Sequence, residues 1–99
     1  MRMLLKASME VNAGNKAIKS GTLPKIMQGL IDELKPEAAY FTAIGGKRTA
    51  LIFFDMKDSS QIPPIAEKFF MELNAEVEFL PVMNAEDLKK GLEIASKQF

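Results

Sequence analysis

Six polar side chains recur inside otherwise apolar segments of this chain: Lys6, Ser8, Tyr40, Thr42, Thr49 and Glu78. Each sits in a stretch where residue type alternates, so an extended backbone turns them toward one side. Together they offer a cation, a carboxylate, a phenol and three hydroxyls, a set suited to hydrogen-bonding a small polar molecule. The chain has no His and no Cys, which removes the commonest general base, thiolate nucleophiles and thiolate metal sites. Acid–base chemistry, if present, falls to Glu78 or Tyr40. A desolvated Glu78 with a raised pKa would shuttle a proton. The plainer account pairs Glu78 with Lys6 across neighbouring strands and packs the Tyr40 ring at an interface with its hydroxyl satisfied.

A second feature with chemical potential is Gly45-Gly46-Lys47, between two apolar runs. A phosphate loop requires G-x-x-x-x-G-K-[ST] opening into a helix, whereas Lys47 is followed by Arg48 and strand-forming residues. Two glycines between alternating segments signal a hairpin, because primed turns need positive φ. That turn sets Ile44 opposite Lys47, Thr42 opposite Thr49 and Tyr40 opposite Leu51. Arg48, near the turn, is either a carboxylate clamp or a solvated strand-end charge. Asp55 serves to end its strand or cap the following turn. The methionines fill gaps in core and interface, and with no soft partners nearby they indicate no metal.

The elements that position these groups follow from periodicity. RMLLKASMEV (2–11) alternates as a strand. NAGNKAIKSG (12–21) reads as a polar connection with room for a helical turn. TLPKIMQGLIDELK (22–35) carries a helical stripe of Leu23, Ile26, Met27, Leu30, Ile31 and Leu34, with Thr22 as N-cap, Pro24 in the first turn and Pro36 as the stop. Residues 38–44 and 48–56 are two strands. Asp58-Ser59-Ser60 opens a helix that buries Ile65, Ala66, Phe69, Phe70 and Leu73. AEVEFLPVM (75–83) is a fourth strand, at an edge by its Pro81. Asn84 and Asp87 bracket the cap of a last helix with the stripe Leu88, Leu92, Ala95 and Phe99. The order β-α-β-β-α-β plus a C-terminal helix predicts one α+β domain over 1–99, a ferredoxin-like antiparallel sheet ordered 4-1-3-2.

Composition narrows the partners. With 99 residues, 13 Lys plus Arg and 13 Asp plus Glu, the chain suits one domain with one core and lacks the basic excess of a nucleic-acid binder. The opening MRMLLKASME is too short in its apolar run for a signal peptide, and no apolar stretch approaches the roughly 20 residues of a membrane span. A cytoplasmic protein with no cofactor, nucleic-acid or membrane partner is expected.

The strand alternation divides the sheet into two faces. One is purely apolar: Met3, Leu5, Ala7, Met9, Ala39, Phe41, Ala43, Ala50, Ile52, Phe54, Val77, Phe79, Pro81 and Met83, interrupted only by Arg48. The other mixes the six polar candidates with Leu4, Ile44, Leu51, Phe53, Leu80 and Val82. A sheet with helices on one side should read polar on the other, and an apolar surplus there marks an interface or ligand surface.

On these features the chain resembles the dimeric α+β barrel superfamily. GGKRTALIFFDM and VEFLPVM are similar to its hairpin, third and fourth strands, and Phe54-Asp55 to muconolactone-isomerase-like members. KPEAAYF, GKRTA and PVMNAEDLKKGL look like a group of small bacterial proteins with no assigned role. The resemblance implies a homodimer through the mixed face, with a cavity between paired sheets where Lys6, Ser8, Tyr40, Thr42, Thr49 and Glu78 meet a small organic ligand. The absence of His and Trp excludes the superfamily's His-dependent chemistry, leaving a binding protein or a cofactor-free isomerase acting on a small organic acid. Asn12-Ala13-Gly14 and SGTLPKI are fainter echoes of amino-acid-binding ACT modules.

Overall fold

The computed structural model describes residues 1–99. Four strands, β1 (Arg2–Ser8), β2 (Ala38–Ile44), β3 (Lys47–Asp55) and β4 (Glu76–Pro81), form one antiparallel sheet in the order β2-β3-β1-β4. The helices are α1 (Val11–Ser20), α2 (Thr22–Leu34), α3 (Ile62–Leu73) and α4 (Ala85–Ser96). The arrangement is α+β and compatible with a ferredoxin-like fold.

The double glycine is a turn. Gly45 and Gly46 have φ of 60° and 77°, the left-handed pair that a two-residue hairpin needs. Pairing runs from Ile44–Lys47 through Thr42–Thr49 to Tyr40–Leu51, as the turn chemistry predicts. Asp58 caps a 3-10 turn at Ser59–Gln61 that leads into α3, and Asn84 and Asp87 form a reciprocal capping box on α4.

The core lies between one sheet face and α1–α3. Met3, Leu5, Ala7, Ala50, Ile52 and Phe54 meet Ala17, Leu30, Ile65, Phe69 and Leu73. All of these sheet residues belong to the face expected to be apolar.

Five expectations change, the first being Phe70 of α3, which is exposed while its neighbour Phe69 is in the core. Residues 11–20 are a full helix, not a connection. Its buried positions are Gly14 and Ala17, so small residues seat it and no stripe of large ones announces it. Thr22 is inside α2; the cap position is Gly21, whose φ of 78° ends α1 and begins α2 at one residue. Phe41 and Ala43 are exposed despite lying on the helix side, because β2 is an edge strand that α2 flanks with Leu23 and Met27 without covering. Finally, α4 buries none of its residues, and Leu88, Leu92 and Phe99 all stand in solvent.

Candidate functional site

The pairing registers resolve the mixed face into transverse rows. One row runs Thr42, Thr49, Ser8, Glu76 from β2 to β4; the next runs Tyr40, Leu51, Lys6, Glu78; the third runs Ala38, Phe53, Leu4, Leu80. Successive rows are about 7 Å apart, two residues of extended chain. The face therefore grades from hydroxyls and carboxylates at the hairpin end to aliphatic and aromatic groups at the other. None of α1, α2 and α3 covers it, since all three pack on the opposite face.

At the polar end, Thr49 is buried. Its Oγ1 donates to the Lys47 carbonyl at 3.1 Å and lies 3.2 Å from Ser8 Oγ. This pair is a structural bridge between β1 and β3, with spare acceptor capacity on its outer side. Beside it, Lys6, Ser8, Glu76 and Glu78 line a recess of about 40 Å³, enough for little more than a water or one ligand atom group.

Lys6 and Glu78 are directly opposed across the β1–β4 ladder, yet the ion pair expected between them does not form. The ion pairs of the chain are Met1–Asp55, Arg2–Glu37, Arg2–Asp87, Lys47–Glu76, Lys57–Asp55 and Lys68–Glu33. Lys6 is half-buried and carries an unpaired ammonium on this face. Glu76, on the same face by the same alternation, lines the recess and is bound by Lys47 at 3.4 Å; it belongs with the candidate residues although sequence reasoning did not select it.

Tyr40 lies apart. It is 61% exposed and packs edge-to-face on Phe53, with ring centroids 6.5 Å apart and planes at 74°. Its hydroxyl makes no hydrogen bond within the chain. Since Tyr40 and Glu78 occupy opposite edges of the sheet, about 14 Å apart at normal strand spacing, one chain does not bring them to a common atom. Thr42 is exposed between them and the turn.

Arg48 turns back onto α1, bonding neutral groups there and making no ion pair. Its guanidinium donates to Asn15 Oδ1 at 2.9 Å and to the Val11 carbonyl at 3.5 Å, pinning α1 to β3. Gly14 makes the approach possible, because a Cβ there would stand 2.7 Å from Arg48 Nη1. Asn12 and Ala13 border a surface groove of about 410 Å³ between α1 and the end of α3. The Glu10 carboxylate already accepts from the Ala13 N–H there, at 2.6 Å; that backbone bond, with one from Asn12, holds its pKa below the usual carboxylate value. At the far end, Asp55 is pulled down to about 2, first by hydrogen bonding to Lys57 and then by the terminal amine.

No group of His, Cys, Asp and Glu side chains is placed to hold a metal ion, and no helix is long and apolar enough to cross a membrane. No protein-family model, curated protein or solved structure matches this chain.

Proposed function

We propose that the chain is a small cytoplasmic protein that pairs with a second copy through its open sheet face and binds a small organic metabolite between the two sheets. The observation that carries this reading is the graded face itself. Its apolar rows suit burial against a copy of themselves, and its polar rows suit a ligand. A twofold axis buries the same patch on both subunits and closes the assembly.

Surface area supports a missing partner. The single chain exposes 6632 Å², whereas a compact monomer of 11.0 kDa is expected to expose about 5,600 Å². The surplus, roughly 1,000 Å² per chain, matches the scale of an obligate homodimer, which buries about 2,000 Å² or more in total. In the recess Glu76 is held by Lys47 while Lys6 and Glu78 are left without partners, which favours a ligand whose polar end offers a carboxylate to Lys6 and a donor to Glu78, with an apolar body lying toward Leu51 and Phe53.

Sedimentation at micromolar concentration tests the pairing. The parent is expected to run as a dimer and Phe53→Asp as a monomer, since an unpaired charge at an apolar centre costs several kcal/mol. Lys90→Asp, on the far side of α4 from its apolar stripe, should remain dimeric. A monomeric parent would defeat the pairing and the cavity that depends on it. For the ligand, a thermal-shift screen of small carboxylic acids should yield stabilisation in the parent that is absent in Lys6→Met.

A further inference from the structure

Lys6 and Glu78 face each other directly across the β1–β4 ladder, yet neither makes an ion pair. Opposed residues on one sheet face hold their Cβ atoms about 5 Å apart. A ligand that bonds both must therefore carry its two polar groups close together. Around this pair the charges balance. Lys6 and Lys47 supply two cations, and Glu76 and Glu78 supply two carboxylates, with Lys47 reaching Glu76 at 3.4 Å. That contact leaves one cation and one carboxylate side by side. A simple carboxylic acid satisfies Lys6 but sets its own negative charge beside Glu78, a like-charge contact that costs affinity. A simple amine makes the opposite error. A ligand with one charge of each sign meets both.

The same register supplies the next group. Leu4 and Leu80 are the opposed pair one row further along the two strands, about 7 Å from Lys6 and Glu78. Leu80 is 44% exposed and Leu4 is half-buried, so both present apolar surface beside the charged pair. On the other side stand Ser8 and Glu76, which offer a hydroxyl and a carboxylate. The ladder thus runs from polar groups through the two unpaired charges to two leucines. The recess of about 40 Å³ at the charged row admits one small polar head group. The rest of a ligand lies on the leucines, beneath the second sheet of the proposed pair.

We propose, on the ligand-binding reading above, that the molecule bound here is a free α-amino acid with an apolar side chain. Its carboxylate meets Lys6, its ammonium meets Glu78, and its side chain lies over Leu4 and Leu80. An α-amino acid carries both charges on one carbon, as the spacing of the opposed pair requires. Its side chain leaves that carbon within reach of a row about 7 Å away. A residue inside a peptide lacks both charges, and a chain terminus offers only one of them.

Calorimetric titration of the full-length protein with three probes tests this assignment. L-leucine, isocaproic acid and isoamylamine share an isobutyl body and differ in which charges they carry. At neutral pH, L-leucine is expected to bind at least about tenfold more tightly than either analogue, the scale of one hydrogen bond to a charged group. Glu78→Gln, at an exposed position, should weaken L-leucine by a similar factor and leave isocaproic acid unchanged or improved. Lys6→Met should weaken both. A variant that only disturbed the fold would weaken the two ligands together, so the ratio of their affinities carries the result. Isocaproic acid binding as tightly as L-leucine, and still depending on Lys6, overturns the amino-acid class and leaves the ligand reading intact. Equal binding of L-leucine to the parent and to Glu78→Gln overturns the placement of the ammonium and the class with it. Binding of none of the three overturns the class as well, and the wider acid screen then decides the ligand reading on its own.

Discussion

The two faces of this sheet are built from neighbouring residues and have different fates. Leu5 and Phe54 are buried under helices; Leu4 and Phe53, one position away, lie half-covered on the open side. Both faces are rich in large apolar groups, so hydrophobicity alone does not say which is the core. The difference is made by α1, α2 and α3, which all pack on the same side. An apolar strand position is a demand for cover, and the chain meets that demand on one face only.

The sharpest way to break this comparison is a matched pair of truncations. Phe54→Ala removes a ring that is 1% exposed and should cost about 3–5 kcal/mol, as large core truncations do. In urea unfolding, that loss should not depend on protein concentration. Phe53→Ala should show a smaller loss at low concentration that grows as concentration rises, because its burial comes from association. Equal and concentration-independent losses would erase the distinction between the faces.

Smaller effects refine it. Gly46→Val forces a β-branched residue to a φ of 77° and should destabilise the hairpin by about 1–3 kcal/mol, visible as a lowered urea midpoint. Nucleotides and inorganic phosphate should produce no thermal shift in the parent; stabilisation by nucleotide that Lys47→Ala removes would restore a phosphate-loop reading. Arg48→Met should cost about 1 kcal/mol for the lost side-chain bonds and speed amide exchange in α1, leaving the open face unaffected.

The least effect concerns Asp55. Its carboxyl is held at about 2, chiefly by the hydrogen bond from Lys57, and so releases its proton more readily in the folded chain than in the unfolded one. A depressed carboxylate pKa contributes stability that is present above the unfolded value, near 4, and is lost as pH falls through about 2. An NMR titration should place the Asp55 midpoint near the lower figure, and Lys57→Ala should move it up. A midpoint near 4 in the parent would show that the contact does not persist in solution.

Much of the architecture was legible because it is written in local chemistry. Alternation in 2–9 and 75–83 assigned faces before any pairing was known, Gly45-Gly46 set the register of β2 on β3, and Asp58, Asn84 and Asp87 marked helix starts through side chains that cap neighbouring N–H groups. The α1 helix was not legible because Gly14 and Ala17 bury little apolar surface, and its anchor, Arg48, comes from a distant strand. The candidate site was legible as a set of residues and not as an arrangement. Alternation placed Lys6 and Glu78 on one face but said nothing of whether their charges meet.

What the amino-acid sequence determined by itself is the identity of the elements and the composition of each sheet face, since both depend on residues a few positions apart. Tertiary structure alone decided that β2 is an uncovered edge, that Arg48 turns back onto α1, that Tyr40 and Glu78 stand at opposite edges, and that α4 leaves its own chain's core empty-handed. Those outcomes depend on strand order and on where helices land over the sheet, which are properties of contacts between distant segments. The same periodicity that makes α3 bury Ile65, Ala66, Phe69 and Leu73 leaves the stripe of α4 in water, because an amphipathic helix specifies that it needs a surface and not which surface it will find.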